Sequence, residues 1–418
     1  MALNPIPLSS YQIRLLAVLA LINFVNFADR SVVFPLLPLL RQQMNLTDGQ
    51  LGSLQSGLLV VLALASIPCG LLADRFSRTQ IIAGGVLFWS LATVACGFAS
   101  SFVLLFIARS LIGVGEAAYA PAAQSMISDS FPYQRRAMAQ SIFAAGMLLG
   151  GAAGQAFGGI MGEVHGWKFT FIVVGLACMV PALFVLKLPE PPRRPRSEVV
   201  PIFSLLKVPA FIAMIVAGTC ITFASVSILT WGIDFAVNYK EFSLREASVS
   251  LAAVALLSLL LGVLSGGFLA DRLHRKYPYG RIVVIAAAFL FAAPFVLLAI
   301  QTDEKWVFLT ALFIGGYFMS WYHGPVTAVL HDLTPQRAHA TSIGVYMLVT
   351  QLLGAIGPQL VGKISDASDL QLGLQVAVAV MVAGSLLMFV VIYFVRRDGL
   401  HHPCLAAFRL EAHDEATD

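Results

Sequence analysis

The chain has 418 residues, of which 58% are hydrophobic and 11% charged, with a net charge of +4. Soluble domains carry roughly 45–50% apolar and about 25% charged residues, so a water-soluble globular fold is excluded. The basic excess sits in short loops and argues for a membrane-surface bias over nucleic-acid binding.

Apolar windows bounded by charges or turn residues predict twelve spans, at 12–38, 49–73, 80–99, 102–126, 137–161, 168–188, 208–236, 247–270, 281–300, 306–330, 339–361 and 372–395. Each is close to the roughly 20 residues a helix needs to cross a hydrocarbon core of about 30 Å. Span one carries Asp29 and Arg30, unlike the clean apolar core of a cleavable signal, and reads as a true span. Between spans six and seven, Pro189, Pro191, Pro192, Pro195 and Pro201 accompany Arg193, Arg194 and Arg196, a composition that favours an extended, solvated linker. The expected organisation is therefore a six-helix bundle over 1–188, a linker over 189–207, a second bundle over 208–395 and a tail over 396–418. Counting Lys and Arg in alternate loops gives 18 on the side of the linker and both termini against 6 opposite, which places that side in the cytoplasm. The chain is expected to be a multi-pass protein of the plasma or inner membrane. Cys69, Cys96, Cys178 and Cys220 lie in apolar segments and Cys404 in the tail, without metal-ligand spacing, so neither a disulfide framework nor a metal or cofactor is expected.

The two halves repeat. Gly70-Leu-Leu-Ala-Asp74-Arg75-Phe-Ser-Arg78 follows span two, and Gly267-Phe-Leu-Ala-Asp271-Arg272-Leu-His-Arg275-Lys276 follows span eight, displaced by 197 residues. Asp129-Ser-Phe-Pro132 after span four matches Asp332-Leu-Thr-Pro335 after span ten, displaced by 203, so small insertions separate the copies. Asp74, Arg75, Arg78, Asp271, Arg272, Arg275 and Lys276 are expected to form a gate, the carboxylates holding helix ends or basic loops and the cations engaging acidic residues or lipid phosphate.

The G-x-x-x-D-R-x-x-R loops, Arg109-x-x-x-Gly113 in span four and the six-plus-six layout resemble the major facilitator superfamily. Phe27-Ala-Asp29-Arg30, Phe88-Trp89-Ser90, Ala108-Arg109-Ser110 through Glu116-Ala117, and Leu353-Gly354 through Ser365-Asp366 are similar to its spinster branch. That resemblance implies an all-α membrane protein of twelve transmembrane helices in two pseudo-symmetric six-helix bundles. It also implies alternating access and substrates such as lysophospholipids or sphingoid phosphates. Span five, Gly146-Met-Leu-Leu-Gly150-Gly151, lacks the proline of the exchanger motif, so that motif does not support antiport.

Asp29, Arg30, Arg109 and Glu116 lie inside spans, each costly against lipid by about 2.5–3.5 kcal/mol, and are expected to face the interior. Arg109 and Glu116 are seven residues apart and share a helix face. Depth counted from the loops allows an Asp29–Arg109 pair. Burial favours a neutral acid and a nearby cation its carboxylate, opposed influences that suit a proton carrier. The expectation is that Glu116 and Asp29 carry the proton while Arg30 or Arg109 alternates between them and an anionic head group; the rival reading is a static network that orients helices. Tyr119, Trp321 and His323 complete the candidate substrate site between spans one, four, seven and ten, although aromatics in a membrane helix are often packing, as is a lone histidine. Asp234 reads as an interfacial residue. The function expected is a proton-coupled carrier, acting as a monomer, of a small amphipathic or anionic substrate. The alternatives are a proton symporter of soluble organic anions and a non-transporting sensor. Lack of G-x-S-x-G, H-E-x-x-H and Walker motifs argues against an enzyme or an ATP-driven pump.

Overall fold

The computed structural model describes residues 9–192, 202–334 and 338–398, and these are helical with short turns. Among the described residues ten helices are long and apolar enough to cross a membrane. One of them, Tyr133–Val185, is two spans joined at Gly166, and span ten is interrupted, which accounts for the twelve expected. Gly166 adopts φ +79°, a left-handed conformation that costs glycine nothing and lets the chain turn between spans five and six.

Three spans are broken, and a proline explains each break. Span one stops at Ser31 and resumes at Val33, and Pro35 has no N–H for the Ser31 carbonyl. Span ten runs Lys305–Met319, passes through a 3₁₀ turn at Ser320–Tyr322 and resumes at His323–Asp332, with Pro325 unable to serve Trp321. Span eleven breaks between His339–Gly354 and Ile356–Ala367, where Pro358 leaves Gly354 unserved. Pro68, Pro121 and Pro294 lie in unbroken helices, so proline permits a break without dictating one.

The chain divides into two compact units, Met1–Pro195 with Ala236–Ala252, and Arg196–Phe235 with Ala253–Asp418. In the first unit, span five packs on span one through glycines at every fourth position. A Cβ on Gly146 would lie 2.6 Å from the Ala20 carbonyl and one on Gly158 2.9 Å from that of Val32, while Cβ atoms on Gly150 and Gly154 would strike the carbonyls of Phe24 and Ala28. Four glycines thus lie in register with four helical turns, and the backbones approach as only small residues allow. In the second unit Gly354 and Gly357 play this part against Thr222 and Phe223 of span seven.

The duplication extends to the turns. Asn45 and Glu241 both take positive φ, at 50° and 55°, and each is followed by a buried Leu46 or Phe242 and then by Thr47 or Ser243. Thr47 accepts from Gln50 N and Ser243 from Glu246 N, so spans two and eight start with equivalent side-chain caps.

Gly150→Ala is expected to separate spans one and five and to destabilise by about 1–3 kcal/mol. A lowered thermal midpoint in detergent checks this, with Gly84→Ala, whose added Cβ would meet no atom of another helix within 4 Å, unchanged.

Candidate functional site

Two sets of charged residues stand out. The inner set lies at the break in span one. Arg109, fully buried, donates to the carbonyls of Arg30 at 2.8 Å and Asp29 at 3.4 Å, where the helical ladder stops after Val32 N meets Ala28 O. A guanidinium presents several donors in a fixed fork and suits two adjacent carbonyls. The Asp29–Arg109 ion pair that depth allows is not formed. Arg109 is drawn to the backbone because those carbonyls lie at the break and cannot be left bare in hydrocarbon.

The Asp29 carboxylate accepts instead from Thr93 of span three at 2.8 Å, and the same hydroxyl also reaches Trp89 O at 3.1 Å. Arg30 points to span four and forms an ion pair with Glu116. The Glu116 side chain is 1% exposed and that of Arg30 is 16%, so the cation is the accessible member. Arg30 also stacks over Phe27 at 4.8 Å. Asp29 Oδ1 and Glu116 Oε1 accept no hydrogen bond among the described residues, and Arg30 Nε donates none. Both acids are thus half-engaged. Tyr119, one turn beyond Glu116, donates to Asn23 at 3.0 Å and lies edge-on to Trp89 at 5.7 Å, while Asn23 donates to Phe143 O at 2.7 Å. Thr93 and Asn23 escaped sequence reasoning because a hydroxyl or amide in an apolar run carries no periodic signal. Spans two, three and four are drawn close by Gly113, whose Cβ would lie 2.6 Å from Leu58 O, and by Gly115, 2.6 Å from Gly85 O.

In the second unit Trp321 stacks edge-on with Phe318 at 5.1 Å and packs on Gly266, while His323 has no hydrogen bond among the described residues. The hydroxyls of Tyr322 and Tyr346 lie 2.5 Å apart, and Tyr346 fills the space over Gly218. Tyr346 was not singled out in sequence. Asp234, five residues before the end of span seven at Tyr239, is fully buried.

The second set of charges lies at the repeated loops. Arg78, 3% exposed, donates to Asp129 at 2.5 Å, Ser125 at 2.9 Å, Glu190 at 3.1 Å and the Pro191 carbonyl at 2.6 Å, tying the start of span three to the end of span four and to the segment after span six. Its counterpart is not Arg275, as the motif alignment implies, but Arg281, which donates to Asp332 at 2.8 Å and Asp271 at 3.0 Å. Arg281 and Asp332 both stand 203 residues beyond Arg78 and Asp129. The six-residue difference from the earlier offset of 197 is thus an insertion between Asp271 and Arg281. Arg75, Arg272, Arg275 and Lys276 form no ion pair among the described residues. The Asp74 side chain, Arg193, Arg194, Arg196, Arg337 and Cys404 lie outside the described residues.

A family model described as Major Facilitator Superfamily matches residues 19–358 and, overlapping, 279–409. The chain belongs to this superfamily. It is 28% identical over 389 residues to "Protein spinster homolog 1" of Bos taurus, covering 86% of this chain and 74% of the relative. To an "MFS-type efflux pump" of Mycolicibacterium smegmatis it is 27% identical, covering 90% and 91%. A crystal structure of a bacterial homolog of the human lysosomal transporter spinster, described as inward-facing and occupied, shares the fold with a TM-score of 0.84 at 24% identity, over 94% of this chain and 99% of that one. The protein is thus a membrane transporter of the superfamily, similar to the spinster type, and not an enzyme, and its twelve spans form the two pseudo-symmetric six-helix bundles of that fold.

Burial alone would raise the Glu190 carboxyl, but bonds from Ser77 and Arg78 outweigh it and hold the group below the usual carboxylate range. Its contact with Arg78 therefore contributes above the ordinary carboxylate pKa and is lost as pH falls through the lowered value. Arg78→Ala removes a buried cation that makes charge-assisted bonds to the partly buried Asp129 and Glu190, and is expected to cost about 1.5–3 kcal/mol. Arg281→Ala should cost about 0–1 kcal/mol, because Asp271 and Asp332 are 64% and 39% exposed. Thermal unfolding of the two variants separates these magnitudes.

Proposed function

We propose that the chain is a proton-coupled secondary transporter of an amphipathic anion, working as a monomer by alternating access, with Glu116 and Asp29 as proton carriers and Arg30 as the cation that meets the substrate. The observation that carries this reading is the Arg30–Glu116 ion pair, in which a buried acid holds a partly accessible cation. Protonation of Glu116 removes the charge that retains Arg30 and frees it for an anionic head group. Deprotonation recaptures it. Asp29, one residue before Arg30 and half-engaged, is the second place a proton can reside. Arg109 is committed to the span-one backbone, so it acts as a positioning residue and not as the exchanging cation.

The spinster resemblance implies lysophospholipid or sphingoid phosphate as the substrate class, and the phosphate of such molecules matches a guanidinium in charge and geometry. The Lys and Arg bias places both termini, and with them the Arg78 and Arg281 clasps, on the cytoplasmic side. These clasps, with the exposed loop cations, act as the inner gate. Trp321 and His323 supply an aromatic wall and one further titratable group to the site.

The test is uptake of lysolipids and of small organic anions into proteoliposomes with and without a pH gradient. Glu116→Gln is expected to lose pH-driven transport by about 10²-fold or more, the scale of a lost proton-transfer group, while keeping its thermal midpoint. Arg30→Gln, read together with Arg30→Lys, which keeps the charge, should lose substrate binding, whereas Arg109→Gln should lower the midpoint first. Undiminished pH-driven flux in Glu116→Gln would remove that residue from the mechanism. Accumulation of soluble anions but not lysolipids would select the symporter reading.

A further inference from the structure

The six residues inserted in the second half create a surface that the first half lacks. Between Asp271 and Arg281 the chain carries Arg272, Arg275, Lys276, Tyr277 and Tyr279, where only Arg75, Phe76 and Ser77 separate Asp74 from Arg78. Tyr277 and Tyr279 stack at 5.8 Å, and Lys276 lies over the Tyr277 ring at 5.4 Å. Arg396, at the end of span twelve, lies 4.3 Å over the Tyr279 ring and donates to its hydroxyl at 2.6 Å. Arg272 and Arg275 are exposed and have no partner among the described residues. The acids beside them are already engaged, since Arg281 holds both Asp271 and Asp332.

These cations continue an apolar track. Leu257, Leu264 and Phe268 of span eight are exposed at 51%, 67% and 70%. At about 100° per residue they share the helix face opposite Gly262 and Gly266, which pack on span ten. Arg272 and Arg275 fall on that same exposed face one to two turns further on. A ligand fitting both parts has an anionic head and an apolar tail.

We infer that this surface binds the head group of an anionic phospholipid in the adjoining leaflet, with one acyl chain along Leu257, Leu264 and Phe268. Arg272, Arg275 and Lys276 meet the phosphate, and the tyrosine pair with Arg396 forms the interfacial wall. The site lies on the outside of the helix and is distinct from the charges around Glu116.

Native mass spectrometry of the full chain in detergent tests this with phosphatidylglycerol, phosphatidylcholine and inorganic phosphate as separate probes. Retention of phosphatidylglycerol over phosphatidylcholine is expected. The triple variant Arg272→Gln, Arg275→Gln, Lys276→Gln should weaken phosphatidylglycerol binding on the order of a hundredfold, at about fivefold per cation. Arg75→Gln, at the corresponding place in the first half, should leave it unchanged. Should the triple variant fold poorly, raised salt on the unaltered protein replaces it, because exposed charges are screened within about 3 Å at about 1 M. Equal retention of the two lipids, salt-insensitive retention, or an undiminished triple variant would each overturn the assignment. Displacement of phosphatidylglycerol by inorganic phosphate alone would assign the cations to a free anion and overturn it as well.

Discussion

The first span is broken within its apolar run, and a single guanidinium makes that break tolerable. Carbonyl groups released from a helical ladder have no water to turn to there, so something must donate to them. Arg109 does so for Asp29 and Arg30. Two neighbouring side chains of opposite charge thereby leave one short segment toward different helices, Asp29 to Thr93 of span three and Arg30 to Glu116 of span four. A regular helix would also separate them by about 100°, but the break adds the backbone acceptors that recruit Arg109. Without it, Arg109 would have only Asp29 or Glu116 to neutralise it, and one of the two acids would be permanently occupied.

The glycine register of span five serves the same end. Span one is long, interrupted and burdened with charge, so its position depends on a close neighbour. Gly146, Gly150, Gly154 and Gly158 bring a second backbone against it over four turns, which gives dispersion contact along both sides of the break. The spacing was visible in sequence as a small-residue stripe, yet its partner was not, since nothing in span one announces where a flat surface will dock.

Much of the fold was legible because lipid imposes a simple rule on it. Apolar runs must be helices of a given length, and all twelve spans were recoverable from hydropathy, with observed helices extending a turn or more past several expected ends. The charged site was legible in part for a related reason: an ionisable residue in an apolar run is expensive, so Asp29, Arg30, Arg109 and Glu116 stood out. Their pairing was not legible. Depth arithmetic treated side chains as each other's only partners and omitted the backbone, which is normally satisfied within a helix and becomes an acceptor only where the ladder stops between Ser31 and Val33. Motif alignment failed similarly at Arg275: it matched spacing, whereas the physical requirement is a cation facing the carboxylate at the end of span ten, and after a six-residue insertion that cation is Arg281.

The two halves have kept their mechanical parts and changed their chemical ones. Left-handed residues at Asn45 and Glu241, hydroxyl caps at Thr47 and Ser243, and arginine clasps on Asp129 and Asp332 all recur. Each fixes a backbone direction, and a backbone direction does not depend on what is transported. The charges of span four do not recur in span ten. Where span four bears Arg109 and Glu116, span ten offers Trp321, Tyr322 and His323, and span eleven contributes Tyr346 to a hydroxyl pair. A duplicated bundle carrying buried charges in both halves would have to neutralise twice as many ions in low dielectric, with each unpaired ion costing several kcal/mol. Giving span ten neutral hydrogen-bonding and aromatic groups where span four carries two ions lowers that burden. The asymmetry of spans four and ten therefore follows from the energetics of burying charge in a membrane, while the symmetry of the scaffold follows from the geometry of turning a helix around.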